Sequence, residues 1–474
     1  MTAAPGELPI LVAGGGPSGL SAALALARAG RRVVLAEASD DVGGIARTVE
    51  RGGYRFDVGG HRFFTRLPEI QALWDEFLGA DMLVRQRRSR ILFHGHAFDY
   101  PLTAGSALRG LGPAESARIV ASYLSARLRP VRPEVNIADW FTNHFGRRLF
   151  ETFFRPYTEK VWGLPCEAIG AQWAAQRVKG LSLRAAVADM LFRGRGGQRT
   201  LVTEFAYPRL GPGLLWSRMR EELTRRGAVV RLGHRLERLD HRGGRVTLAA
   251  LRGPDGPVEL AVEAVVSTVP LATLLETLAP APGPALLQAA RALRYRDFLQ
   301  VALILEGPDP VPDTWLYLHD PEIRAGRLQN FRAWSPDLVP HPGTACVGLE
   351  YFCQAGDDLW TLPDERLVAI ATQDLAALGL GPPPRVRAGH VIRMTHAYPI
   401  YDAGYRERTA GLRAGLARFG NLVVAGRNGM HRYDNMDLAM WTGLLAARSL
   451  LGEPVDPWDT RDDGYLEPPA RRPS

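Results

Sequence analysis

The stretch Gly14-Gly15-Gly16-Pro17-Ser18-Gly19 constrains this chain more than any other. It lies between a short apolar run at residues 9–13 and an alanine- and leucine-rich run at 18–29, which Gly30 closes. That order predicts a strand, a tight glycine turn and a helix. A second apolar run at 32–36 completes a βαβ unit and ends at Glu37. In a G-x-G-x-x-G turn of this kind, Gly14 makes the sharp bend and Gly16 lets the backbone approach a pyrophosphate. Gly19 lets the helix pack closely on the strand. The helix N-terminus offers N–H donors and a positive dipole to phosphate, and Glu37 is spaced to accept from a ribose hydroxyl. A Rossmann-type dinucleotide unit is therefore expected at the N-terminal end.

A chain of 474 residues exceeds one ordinary core, so two or three domains are expected. With 46% hydrophobic and 23% charged residues it reads as globular. No apolar run reaches the roughly 20 residues of a membrane helix, and residues 1–9 lack the pattern of a secretory signal. The net charge of +8 comes almost wholly from scattered arginines, Lys160 and Lys179 being the only lysines. This pattern suits solvated surface and anionic small molecules better than nucleic acid. Cys166, Cys346 and Cys353 have neither metal-ligand nor disulfide spacing, which implies no metal and a reducing, cytoplasmic setting.

Further along, residues 106–192 read as mostly helical, with breaks at Pro130 and Pro133. Residues 227–261 alternate like a strand meander, 265–269 form a buried-type strand before Pro270, and 295–401 read as a second α/β region. Residues 421–425 form another short strand, before a glycine turn and a helix from about Asp437. The Pro- and Arg-rich end after Asp456 reads as frayed.

Several motifs narrow the family. Gly43-Gly44-Ile45-Ala46-Arg47-Thr48 resembles the second glycine motif of the amine-oxidase and protoporphyrinogen-oxidase flavoproteins. The resemblance implies non-covalent FAD, with Gly44 and Arg47 against it. Phe56-Asp57-Val58-Gly59-Gly60-His61 resembles the loop that passes beside the reactive part of the flavin in those proteins. Tyr157-Thr158-Glu159-Lys160-Val161-Trp162-Gly163 resembles a stretch of bacterial UDP-galactopyranose mutases whose Tyr and Trp line the nucleotide-sugar pocket. Aromatic residues at a helix end are ordinarily core, and that alternative stands beside the functional one. The string from Gly426-Arg427 through Tyr433 to Met436-Asp437 resembles the mutases' C-terminal motif. There an arginine lies near the flavin, a tyrosine touches the substrate diphosphate, and a helix N-terminus points at the flavin's pyrimidine edge. Weaker echoes occur at 93–101, at Tyr207-Pro208 with Gly211 and Gly213, and at Tyr398-Pro399-Ile400-Tyr401. The mutases' downstream phosphate arginine has only Arg177 or Lys179 as a counterpart, in an unclear register.

The expected fold is mixed α/β: a Rossmann-type FAD-binding domain with an inserted helical and mixed-sheet substrate domain. Residues 1–75, 200–285 and 415–455 are assigned to the first domain. Residues 76–199 and 286–414 are assigned to the second, helical over 105–195 and sheet over 85–100 and 295–405; 456–474 is a flexible tail. The cofactor set is Gly14, Gly16, Gly19, Glu37, Gly44, Arg47, Gly59, Gly60, Arg427, Met436 and Asp437. His61, Arg177, Arg327 and Tyr433 are the candidate catalytic residues, and Tyr157, Trp162, Arg332 and Tyr401 the candidate substrate ligands. The leading expectation is mutase-like pyranose-to-furanose conversion of a nucleotide-linked or otherwise activated sugar by reduced flavin, in glycan or natural-product biosynthesis. The alternatives are a flavin oxidase or dehydrogenase, and a non-catalytic binding protein like the vesicle-traffic GDP-dissociation inhibitors. The partner is a small molecule in every catalytic case.

Overall fold

The computed structural model describes residues 8–100, 110–171, 204–382 and 385–460. One layer is a five-stranded parallel sheet. Ile10–Ala13 lies at the centre, flanked by Val33–Ala36 and Ala264–Ser267, with Val229–Arg231 and Leu422–Val424 outermost. The strands thus come from stretches far apart in the chain, and all four residues of Ile10–Ala13 are buried. A parallel sheet needs cover on both faces. Helix Pro17–Arg28 covers one face together with Gly213–Arg225 and Met436–Leu450. On the other face, Leu271–Thr277, Pro284–Arg291 and Tyr405–Leu416 share a second apolar cluster with the meander formed by Arg235–Arg242, Arg245–Gly253 and Gly256–Ala261. Each leucine buried in these layers contributes about 1.5–3 kcal/mol.

A seven-stranded sheet forms the second body. Its order runs Arg385–Pro399, Tyr295–Glu306, Thr344–Cys353, Arg327–Asn330, Trp315–Leu318, Ser89–Phe93, His96–Asp99. All its pairings are antiparallel except that of Trp315–Leu318 with Ser89–Phe93. Met82–Gln86 does not join it but pairs with Glu204–Pro208 as a separate ribbon. Helix Asp364–Ala377 lies within the 295–405 region expected as sheet, because Leu367, Ala371 and Leu375 repeat at helical spacing. The helical lobe contains Pro113–Leu128, Ile137–Phe145 and a run from Arg147 to Trp162 with a π-turn at Phe150–Phe154. Asn136 starts the second helix with a capping box to Asp139.

Of the stretch 456–474 expected as a flexible tail, residues 461–474 lie outside the described residues. Residues 456–460 are held down: Asp456 caps a turn at Pro457–Asp459, Arg413 pairs with Asp456 and Asp459, and Arg432 donates to Thr460. No helix among the described residues is long and apolar enough to cross a membrane. No metal-ligand cluster of His, Cys, Asp or Glu occurs among them either, and all three cysteines are buried thiols.

The helices Pro17–Arg28 and Met436–Leu450 cross in contact. A Cβ on Gly443 would stand 2.1 Å from the Ser18 carbonyl oxygen. Gly443→Val forces the helices apart and is expected to lower stability in urea unfolding by about 1–3 kcal/mol. An unchanged midpoint would show that the crossing has slack.

Candidate functional site

The glycine turn is built as its spacing requires. Gly14 has φ +104°, and its amide donates to the Ala36 carbonyl at 2.8 Å. A Cβ on Gly19 would lie 1.9 Å from the Gly14 carbonyl oxygen, so the helix–strand contact admits no side chain. Gly44, at φ +54°, brings its loop against the first one: a Cβ there would sit 3.3 Å from the Gly16 Cα. The helix that begins at Pro17 has neither a side-chain cap nor an acidic residue in its first turn. Uncapped N–H groups between two bare glycine backbones fit a pyrophosphate. Glu37 accepts from the Gly15 amide at 2.6 Å, and from the Ser39 amide and hydroxyl at 2.8 and 2.7 Å. It therefore braces the turn, and a carboxylate has lone pairs enough to take a ribose hydroxyl as well. Arg47 reaches toward Met394, with its Nε buried and lacking a partner. That orphaned donor suits an acceptor supplied by a cofactor.

The loop over Gly59 and Gly60 lies next to these elements. His61 Nε2 is 2.9 Å from the carbonyls of both Val58 and Ile45, so one N–H bridges the two glycine loops. Burial, joined by the nearby Arg427 charge, lowers its pKa to about 4, so the ring is neutral. Gly60 has a packing reason of its own: a Cβ there would enter the Trp315 ring at 1.5 Å. The backbone before the loop is gripped by Gln300, fully buried on strand Tyr295–Glu306 of the large sheet. Its side-chain oxygen accepts from the Gly59 amide at 2.8 Å, and its amide nitrogen donates to the Asp57 carbonyl. The Asp57 carboxylate in turn accepts from Thr48, at 2.7 Å, and from Tyr207. Burial raises its pKa to about 7 against the pull of those two donors.

On the far side of this loop stands an aromatic wall around Arg327. Its Nε donates to the Tyr157 hydroxyl at 3.1 Å, and Nη1 donates to Glu350 Oε2 at 3.1 Å and reaches the Tyr398 hydroxyl at 3.5 Å. The guanidinium lies over Trp315 and Phe352, 5.2 and 4.8 Å from the ring centres. Burial works against its charge, but Tyr157, Tyr398 and Glu350 outweigh it and raise its pKa. The Tyr398 and Tyr433 rings stack at 5.5 Å, Trp162 lies 6.3 Å from both, and Arg427 caps Tyr433 at 4.8 Å. Arg427 also donates to the carbonyls of Ala397 and Asp434, which ties its loop to the large sheet. Met436 and Asp437 open the last helix, both buried, and burial raises the Asp437 pKa to about 7.

Two candidate ligands stand elsewhere. Arg332 pairs with Asp309 at 3.4 Å and donates to carbonyls of Val339, His341 and Thr344, so it clamps that loop and does not join Arg327. The Tyr401 hydroxyl accepts from the Tyr433 amide at 2.7 Å, and its ring stacks on Tyr405 at 4.1 Å; it positions Tyr433 from behind. Lys160 is turned away from the wall, its ammonium donating to the carbonyls of Leu318, Asp320 and Ile323. Arg177 lies outside the described residues. Sequence reasoning misses Gln300, Glu350, Trp315 and Tyr317. The last two line a cavity of about 70 Å³ with Gly60, Arg62, Arg87 and Ser89. Gln300 and Glu350 each left one signal: Gln300 is the one polar residue in the apolar run from Phe298 to Leu305, and Glu350 is the one charged residue of its strand.

The profile of the flavin containing amine oxidoreductase family matches residues 17–451. A coproporphyrinogen III oxidase of Mycobacterium tuberculosis (strain ATCC 25618 / H37Rv) is 28% identical over 452 residues, covering 88% of this chain and 91% of that protein. In overall fold, a reduced UDP-galactopyranose mutase superposes with TM-score 0.81 at 22% identity, over 94% of both chains. A candidate protoporphyrinogen oxidase from Exiguobacterium sp. 255-15 gives 0.72 at 20% identity, over 94% of this chain and 98% of that one.

Two outcomes are expected here. Gln300→Ala leaves a buried amide and carbonyl without partners, at about 1–3 kcal/mol each. It should lower the melting temperature and weaken flavin retention together, whereas melting without loss of flavin would separate the clamp from the loop. Asp57 binds a proton more tightly folded than unfolded, so its stabilising effect is present below about 4 and lost as pH rises to about 7. Asp57→Asn should therefore gain on the parent protein in melting temperature across that window and hold a constant difference above it. A difference that stays flat from pH 4 to 7 would refute the assignment.

Proposed function

The chain belongs to the flavin containing amine oxidoreductase family and takes FAD as its cofactor, and we propose that it acts on an anionic, nucleotide-linked sugar in the manner of a pyranose–furanose mutase. The observation that carries this reading is Arg327: a buried guanidinium held by Glu350 and Tyr157 within a wall of aromatic rings. A planar fork of donors flanked by tyrosine hydroxyls suits a diphosphate. The likeness to the mutase across nearly the whole chain supports the same reading. Reduced FAD supplies a nucleophilic ring nitrogen for the anomeric carbon. In this proposal Arg327 binds phosphate oxygens while Tyr157, Tyr398 and Tyr433 donate to the diphosphate. Trp162 and Tyr398 exclude water from the sugar side. Tyr401 holds the backbone of Tyr433 in place, and Glu350 fixes the guanidinium plane.

A second reading rests on the Mycobacterium relative, whose name gives it a porphyrinogen substrate. A substrate rich in carboxylates would use the same arginine, with oxidised flavin accepting a hydride. Anaerobic incubation with UDP-, GDP- and dTDP-hexoses and with coproporphyrinogen, using oxidised and dithionite-reduced enzyme, separates the two. An isomeric sugar nucleotide formed only by the reduced enzyme is the expected result. Flavin bleaching by the porphyrinogen, restored by air, with every sugar unchanged, would move the enzyme to the oxidase reading. Arg327→Met should cost about 2–5 kcal/mol in kcat/KM for the true substrate. The pair Arg327→Met with Glu350→Gln removes the stranded carboxylate as a cause of misfolding.

A further inference from the structure

The outer side of the helical lobe carries a surface that the chemistry above does not use. Seven large apolar side chains stand exposed among the described residues, and four of them fall within one short stretch. Leu124, Leu128, Val131 and Val135 are 56, 83, 40 and 61% exposed. Single exposed apolar residues need no explanation, but a local cluster does. Arg127, Arg129 and Arg132 alternate with them and are exposed as well. Nearby Arg118 and Arg148 are both paired with Glu115, whereas Arg127, Arg129 and Arg132 form no ion pair among the described residues. Glu134, the one acid of the stretch, is engaged by the Asn143 side chain at 2.7 Å.

Every residue from 127 to 135 is exposed, so the end of helix Pro113–Leu128 and the turn after it form a protruding tip and not a groove. Pro130 and Pro133 prevent the helix from continuing through it. Aliphatic side chains interleaved with arginines on a protrusion match the interfacial layer of a bilayer: the aliphatic groups enter the acyl boundary and the guanidinium groups meet lipid phosphates. A protein partner would need roughly 800 Å² of complementary surface. The tip, with no aromatic side chain at residues 124–135, offers a poor anchor for one.

We propose that the tip at residues 124–135 docks this enzyme on an anionic lipid surface. The contact places the helical lobe against the bilayer and leaves the nucleotide sheet in solution. The inner side of the same lobe, through Trp140, Phe141 and Phe153, shares a core with Trp162 and Tyr398 at the candidate site. Docking therefore sets the substrate side close to the membrane.

Sedimentation of the FAD-loaded full chain with vesicles tests this. One set contains phosphatidylglycerol mixed with phosphatidylcholine, the other phosphatidylcholine alone. Binding to the first set only, weakened by salt, is expected. Each arginine near such a surface is worth about fivefold. The triple variant Arg127→Ser, Arg129→Ser, Arg132→Ser should therefore lower partitioning by at least about tenfold. Leu128→Ser with Val131→Ser should also weaken it while flavin absorbance and melting temperature hold, because these side chains are exposed. Failure to bind, binding indifferent to lipid charge, or binding unaffected by both variants would overturn the proposal. So would a dimer in solution that Leu128→Ser dissolves, which would make the tip a self-interface.

Discussion

Everything at the candidate site depends on two stretches of backbone meeting with no side chain between them. Gly16 and Gly44 approach to van der Waals distance, and Gly19 lies directly on the carbonyl of Gly14. This leaves the start of helix Pro17–Arg28 without a side-chain cap at the carboxyl end of the central strand, where its first N–H groups can turn to a ligand. Glu37 holds the turn from one side, and Trp216 holds the second loop by donating to the Ala46 carbonyl at 2.8 Å. A side chain at any of these glycines would either fill the phosphate cradle or break the packing beneath it.

The large sheet reaches this cradle through polar side chains buried among apolar ones. Gln300 reads the backbone of residues 57–59 as a neighbouring strand would, with one donor and one acceptor. Glu350 does the same for a charge, accepting from Arg327 and from the Gln329 amide at 2.7 Å. Such groups are costly unless fully paired, and their pairing specifies one arrangement. The result is a rigid link between the loop carrying Gly59, Gly60 and His61 and the wall carrying Arg327. His61 stays neutral because it is buried, and its single N–H joins the two glycine loops. The geometry thus gives His61 a positioning task within the protein, beside whatever it does toward the flavin.

Much of the nucleotide side is legible in the sequence. The strand, glycine turn, helix and second strand lie within one or two residues of their expected places, because their signals are local: apolar periodicity, a glycine triplet and a closing Gly30. The wall is legible only in part. Tyr157, Trp162 and Tyr433 converge with Arg327, but Arg332, which shares the same short polar segment, turns to a different loop. Strand geometry decides this: the chain passes from strand Arg327–Asn330 into the helical turn Phe331–Trp334, so the two arginines leave on different elements. Tyr401, a candidate ligand by its motif, stands one layer behind and supports Tyr433.

Fold class, cofactor and the positions where backbone must be bare all follow from residues close together in the chain, and the order of residues suffices to read them. Which distant side chains meet is settled by tertiary closure instead. Gln300 lies 241 positions from the amide it accepts from, and Tyr157 lies 170 positions from the arginine that donates to it. Contacts of that span leave no periodic trace, because they are set by which sheets and helices close on one another and not by local preference.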